Sequence, residues 1–446
     1  MKFLQTVPQQ HLLAPGAEML LLPEPRFKRC LVQIHLDRPL DDLSPARTLL
    51  GQVLQQGTQR LTSRMAIARR LEELFGASLQ FGGQRAAESH TMTMSLSWVG
   101  ERFLPPGTEV MPALIELAHE ILSQPLRGDN AAFQADVFQR EQAQLIRQIE
   151  SFPDDRSSYA QEQFFQAMCQ NEAFGQPVWG SLEQAKALTV EQLEEARLDL
   201  LHNAHMRVVA VGPVDEAKLI ASFQNWFQGD YALPGGERPA PTWPDAVEPE
   251  ALREHFEEMD VDQARFYFGF RTPQYRGPRQ LEAALLANQV LGGGVQGRLF
   301  RIIREERSLA YGIYSGMYSV KGLMVVSAGI DAAAFEEVRD EVRKQAGLLA
   351  ADGPTEEELN LAKVQVLNGM RSIGDAAGSM ATFYGREQRL GFARTPAQRA
   401  QMIEEIGVAE VQQAAAQWKE DLCYLLRGPQ NAEKELVENG MLGGQE

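Results

Sequence analysis

The chain repeats itself once, and that duplication limits the folds open to it more than any other feature. QVLQQGTQR at 52–60 is answered by QVLGGGVQGR at 289–298, each closing one helical apolar pattern and opening another. AHEILSQPLRGDNAAFQ at 118–134 is matched by QAGLLAADGPTEEELN at 345–360, in both cases a helix, a glycine-containing break and a long amphipathic helix. VVAVGPVDEAKL at 208–219 is matched by CYLLRGPQNAEKEL at 423–436, an apolar strand followed by Gly-Pro and a helix. Three pairs in one order imply two copies of a single fold, and a chain of 446 residues has room for two cores. Between the copies PGGERPAPTWPDAVEPEA (234–251) is rich in Pro and Gly and can continue neither a helix nor a central strand. The expected division is 1–232, a linker at 233–254, and 255–446.

Within each copy the period switches between two and 3.6. Met92, Met94, Leu96 and Trp98 alternate with Thr91, Thr93, Ser95 and Ser97, which predicts a strand with one buried face. Phe266, Phe268 and Phe270 alternate likewise. Tyr311 to Tyr318 and Gly322 to Ile330 predict a hairpin turning near Lys321 and Gly322, followed by helices at 333–351 and 355–372. The fold class expected is α+β: two tandem homologous domains, each an antiparallel sheet with helices on one face.

Composition excludes several roles. A formal charge of −17, with no cluster of Lys and Arg interleaved with aromatics, repels phosphates and argues against nucleic acid. The longest apolar runs fall far short of the roughly 20 residues a membrane helix needs. Met1, Lys2, Phe3 and Leu4 are followed at once by Gln5 and Pro8, so no signal-peptide core is expected. Cys30, Cys169 and Cys423 lie far apart and are odd in number, which suits a reducing compartment, and the expected location is cytoplasmic.

ARTLLGQVLQQGT (46–58) followed by RRLEELFGASL (69–79) resembles the region in which catalytic subunits of the insulinase/pitrilysin family of zinc peptidases carry H-x-x-E-H. In that motif two histidines one helical turn apart hold zinc and the intervening Glu activates water. Aligned on Gly57 and Thr58, the three positions here are Thr48, Gly51 and Gln52, none of which can serve. EQAQLIRQI (141–149) resembles the helix bearing the family's third ligand; it keeps Glu141 but places Gln148 at the ligand position. No H-x-x-E-H occurs elsewhere in the chain, so the resemblance implies a degenerate metal site, no metal in this chain, and zinc in a partner subunit.

In the second copy LGGGVQGRLFRIIREERSLAY (291–311) resembles the family segment with a glycine-rich turn, a helix and an Arg-x6-Tyr pair, here Arg304 and Tyr311. The resemblance implies that this pair reaches the partner's active site and holds the scissile carbonyl, and that Gly292, Gly293 and Gly294 line a peptide cleft. Gly292, Gly294 and Gly297 also spell G-x-G-x-x-G, but a dinucleotide site needs a preceding strand, whereas Leu281 to Leu291 has helical spacing. An Arg on a helix and a Tyr opening a strand are otherwise ordinary surface and packing residues.

The resemblance runs from about residue 15 to 430 and is nearest to bacterial non-catalytic subunits related to the alpha subunit of processing peptidases. It implies two lobes of the LuxS/metallohydrolase-like type, a homologous zinc-bearing partner and short or unfolded peptides as substrate, with no activity for the chain by itself. Self-association of the isolated chain stays open. The alternative is a scaffold or assembly protein of the same fold with no part in proteolysis.

Overall fold

The computed structural model describes residues 3–128, 132–228, 233 and 246–429. The first copy runs β1 (Gln9–Ala14), β2 (Ala17–Pro23), β3 (Arg29–Pro39), α1 (Ser44–Val53), α2 (Arg64–Glu73), β4 (Ser78–Ala86), β5 (Ser89–Val99), α3 (Val110–Ser123), α4 (Ala135–Ser151), α5 (Arg156–Met168), α6 (Leu182–Ala187), α7 (Val190–Asn203), β6 (His205–Gly212) and α8 (Glu216–Gln224). The second runs β7 (Arg253–Glu258), β8 (Ala264–Arg271), α9 (Pro278–Leu291), a π-helical turn at Phe300–Glu306, β9 (Ala310–Tyr318) and β10 (Leu323–Ile330). It closes with α10 (Phe335–Asp352), α11 (Glu356–Arg371), α12 (Ala377–Arg389), α13 (Pro396–Glu405), α14 (Val408–Ala415) and β11 (Lys419–Arg427). Of the linker read at 233–254, residues 234–245 lie outside the described residues, and Arg253 and Glu254 already belong to β7.

The duplication is legible in the sheets. Among the described residues the first sheet has the order β1-β2-β6-β3-β5-β4 and the second β7-β11-β8-β10-β9. Without β1 the two orders are the same, with β4 and β9 as matching edge strands. Both domains are α+β as expected, but each sheet also contains a parallel pair, β2 with β6 and β7 with β11, so neither is purely antiparallel. The cause is that the last strand of each copy returns beside β2 or β7 after a long run of helices rather than through a hairpin.

Helices cover both faces of the first sheet, which departs from the one-face expectation. Its inner face packs on α1 and α3 through Leu49, Leu50, Leu114 and Ile115, opposite Met92, Met94, Leu96 and Trp98. Its outer face is met by α12, whose Met380, Ala381, Phe383 and Tyr384 form one apolar stripe against Leu20, Leu22, Val209 and Val211. Burial on two sides explains why every residue of β6 is buried and why Val208, Val209, Ala210 and Val211 are apolar in succession rather than in alternation.

The chain folds into two compact units that exchange a segment each: Met370–Arg399 joins the first unit and Pro153–Asn171 the second. In the first unit the exchanged helix is α12; in the second it is α5. Gly269 of β8 makes room for α5, because a Cβ there would lie 2.5 Å from Met168 Sδ and 2.8 Å from Phe164 Cζ. Phe164 stacks on Tyr267 at 5.3 Å.

Each exchanged helix is tied down by buried charge. Asp37, whose side chain is fully buried, accepts from Arg207 Nε at 2.7 Å, from Arg389 of α12 at 2.5 Å and from the Thr91 hydroxyl at 2.5 Å. In the second unit Asp421 accepts from Arg271 at 2.6 Å and Arg253 at 2.7 Å, and both arginines also donate to the Met168 carbonyl at the end of α5. Among the described residues no helix is long and apolar enough to cross a membrane.

Burial alone would raise the Asp37 pKa, but Arg207 and Arg389 overcome it and hold the carboxyl down at about 2, below its ordinary 3.8. A folded-state pKa below the unfolded value means stabilisation that is complete above about pH 4 and disappears as the pH falls through 2, worth about 2 kcal/mol at neutral pH. Asp37→Ala leaves two guanidinium groups facing a buried gap and is expected to cost about 3–5 kcal/mol. Urea unfolding of wild type and variant between pH 7 and pH 2 checks both points; a variant as stable as wild type, with the same acid limb, would remove Asp37 from this role.

Candidate functional site

Helix α1 begins at Ser44 with Pro45 in its first turn, a position where the missing proline N–H is no loss. Leu49, Leu50 and Val53 bury its core face. Arg47, fully buried, fixes its register by bridging Asp41 at 2.8 Å and Asp199 of α7 at 2.7 Å. The opposite side of α1 carries Gln52 toward α4, where Gln52 Nε2 donates to Gln148 Oε1 at 3.0 Å. Two of the positions aligned with metal ligands therefore meet in space, as a pair of neutral amides.

The Thr48 hydroxyl, one turn earlier, lies 2.7 Å from the Val178 carbonyl and 3.1 Å from that of Ser44, so it is engaged with backbone. Gly51 has little room for a side chain: a Cβ there would sit 3.1 Å from the Met92 methyl. Glu141, two turns before Gln148, pairs with Arg140 at 3.0 Å. Zinc is held by imidazole, thiolate or carboxylate, and this set offers an alcohol, a glycine and two amides. The residues do not fit the metal, and among the described residues no group of three His, Cys, Asp or Glu could hold one.

In the second unit, Arg304 and Tyr311 lie on consecutive elements. Arg304 sits in the π-helical turn with its guanidinium 4.6 Å from the Phe300 ring centroid, and Phe300 packs on Tyr314 of β9 at 5.9 Å. Tyr311 is 76% exposed. The register explains its exposure: Gly312 pairs with Gly329 and Ala310 with Ile330, which leaves Tyr311 as the extra residue of a bulge in an edge strand. Bulges re-aim a side chain out of the alternation of the sheet. Sequence alternation alone would not have revealed this, because the extra residue breaks the pattern by which strands are read.

Gly292, Gly293 and Gly294 form the tight turn after α9. The N–H groups of Gly292 and Gly293 both donate to the Asn288 carbonyl at 2.9 Å, while the Gly292 carbonyl accepts from Ser315 N of β9 at 2.8 Å. A Cβ on Gly297 would lie 2.8 Å from Gly292 Cα, so the turn closes on itself without side chains. A helix precedes these glycines, which removes the dinucleotide reading. Ser315 is thus capped on the outer side of β9, whereas Tyr311 nearer the strand's start stands clear.

What the sequence reading missed is the amide pairing itself and the Asp37 cluster. Asp37 and Arg207 are isolated charges within apolar strands, and a charge in such a run signals a buried partner, though not which one. Arg207, Arg389 and Thr91 of that cluster line a cavity of about 500 Å³ with His35, whose pKa is lowered to about 4 by burial and by Arg207 and Arg389.

Residues 187–366 match the family model described as the peptidase M16 inactive domain. The chain is 25% identical over 409 residues, 91% of its length and 95% of the relative's, to the probable inactive metalloprotease YmfF of Bacillus subtilis. A crystal structure of a conserved protein from Enterococcus faecalis superposes with a TM-score of 0.85 at 22% identity, covering 95% of this chain and 99% of that one. A peptidase M16 inactive domain from Pseudomonas fluorescens superposes with a TM-score of 0.77 at 19% identity, covering 95% and 98%. With the inactive-domain model matching residues 187–366 and this fold shared over nearly its whole length, the chain is similar to inactive members of the insulinase/pitrilysin (M16) peptidases.

Proposed function

We propose that this protein is the non-catalytic subunit of a two-chain zinc peptidase, and that it supplies Arg304, Tyr311 and part of an enclosed peptide chamber to a homologous partner that carries the metal. The observation that supports this most is the contrast between its two units. In the first, Gln52 and Gln148, at positions that resemble metal-ligand positions, are hydrogen-bonded amides, while in the second the Arg304 guanidinium and the bulged, exposed Tyr311 phenol enter no ion pair among the described residues.

Arg304 and Tyr311 are donors suited to negative charge that develops on a scissile carbonyl, and donors fixed before the reaction stabilise it without reorganisation. The partner would bring the metal that activates water. Gly292, Gly293 and Gly294 offer a backbone surface with no side chains, and an extended peptide can add to a sheet edge as a further strand. Enclosure restricts substrates to short or unfolded chains. A cytoplasmic setting fits three buried cysteines, with the Cys30 thiol pushed up to about 12 mainly by burial and so unreactive.

Hydrolysis of a fluorogenic peptide library is expected from a mixture of this chain with an H-x-x-E-H-bearing relative, and not from this chain by itself. Arg304→Ala and Tyr311→Phe should each lower kcat/KM of the mixture by about 10- to 100-fold. Variants that cleave as fast as wild type would move the protein to the scaffold reading.

The alignment of the lost site has its own test. Thr48→His, Gln52→His and Gln148→Glu together restore three zinc ligands on α1 and α4, and the triple variant should retain one zinc per chain after dialysis, measured by atomic emission, where wild type retains none. A folded triple variant without zinc would mean that Thr48, Gln52 and Gln148 do not occupy the ligand positions.

A further inference from the structure

We infer that the cleft left where the metal site would be is a receptor for an acidic peptide segment, a binding site in its own right; the inference rests on the reading that this chain meets peptides. The cleft, of about 490 Å³, lies between α1, α2 and α4 within the first unit. Gln52, Gln55, Gln56, Gln144 and Gln148 bring amides to it, and an amide both donates and accepts, as a peptide backbone does. The Gln52 amide spends its N–H on Gln148, while its buried Oε1 has no hydrogen-bond partner. A buried acceptor left without a donor is costly, and a peptide N–H would supply one.

Charge selects the kind of peptide. Arg64, Arg140 and Arg147 line the cleft against one carboxylate, Glu141, which is already paired to Arg140 at 3.0 Å. Arg147 donates to Gln144 at 2.8 Å, and among the described residues neither Arg147 nor Arg64 enters an ion pair. The chain as a whole carries −17, which would repel an acidic ligand at long range. At physiological salt that field is screened beyond about 8 Å, so the guanidinium groups at the cleft decide binding at contact. Arginine also matches carboxylate with two parallel donors.

The test is fluorescence anisotropy with the full chain and labelled ten-residue Gly/Ser peptides bearing four Glu, four Gln or four Lys. The Glu peptide should bind at least roughly tenfold tighter than the Gln peptide, weaken with added salt, and lose at least roughly tenfold with Arg64→Glu/Arg147→Glu. Arg64→Lys/Arg147→Lys should keep most of the binding, and equal melting temperatures confirm that both variants fold. Equal binding of the Glu and Gln peptides, indifference to the charge reversal, or tighter binding of a single-stranded oligonucleotide of the same charge would each overturn the inference. The Arg304→Ala cleavage assay separates it from the peptidase reading. Slowed cleavage with no preference for acidic peptides removes this inference and spares that reading; acidic selectivity without cleavage by the mixture does the reverse.

Discussion

The buried carboxylate of Asp37, held between Arg207 and Arg389, is the interaction on which the first unit most depends. Arg389 belongs to α12, which the chain reaches long after the strands it covers, and the contact joins residues 352 apart in sequence. A helix returning over such a distance pays a large loop-closure entropy, and an apolar stripe by itself can slide along a sheet. Charge paired in a low dielectric fixes position, since a displaced guanidinium would leave the carboxylate buried and unpaired. Asp421 with Arg253 and Arg271 does the same for α5 in the second unit, so both copies solve the anchoring problem with one carboxylate and two arginines.

This division of labour explains how the fold tolerates the loss of its metal chemistry. The ionic anchor of α12 is made by Asp37, Arg207 and Arg389 and uses none of Thr48, Gln52 and Gln148, and α1 takes its register from Arg47 rather than from a metal. A catalytic metal on a preformed scaffold contributes little to the scaffold's own core, unlike the metal of a small zinc-dependent domain. Thr, Gly and Gln at the positions that resemble the metal site therefore leave the architecture in place. The half-buried Thr48 hydroxyl on Val178 O and the hydrogen bond from the Gln52 amide N–H to Gln148 each give a polar group a partner within the protein.

Much of this was legible in the residues. The repeated segments foretold matching sheet orders, and the alternation of Met92 to Trp98 foretold a strand buried on one face. The hairpin of β9 and β10 turns at Gly322, whose φ of 79° lies in the region glycine favours. Helix exchange was not legible, because periodicity reports that a helix has an apolar face and is silent about which sheet that face meets. The parallel pairs were hidden for the same reason, since β6 and β2 are distant in sequence and each pattern is compatible with either direction. Burial of β6 on both sides was not read from the sequence, which gave helices on one face only, although the succession Val208 to Val211 is the pattern such burial leaves. At the site, residue types gave the absence of ligands, but only three-dimensional contact gave the pairing of Gln52 with Gln148 and the bulge that turns Tyr311 outward.

That pairing has a counterpart that narrows what it means. Gln289 stands in QVLGGG where Gln52 stands in QVLQQG, and Gln289 Nε2 donates to Gln365 Oε1 of α11 at 2.5 Å. α11 follows α10 in the second copy as α4 follows α3 in the first. Each copy therefore joins the same two helices at the same end by a glutamine–glutamine bond, although the surrounding residues differ: glycines crowd the second site, while Arg64, Arg140 and Arg147 surround the first. A hydrogen bond of this kind between two amides contributes about 1 kcal/mol, enough to hold two side chains in place and too little to dictate the helix packing. The shared element is a structural tie, and what distinguishes the first copy is the positive cleft around it. Function in this chain is accordingly to be sought where the two copies differ, at the cationic cleft of one and the exposed Arg304 and Tyr311 of the other.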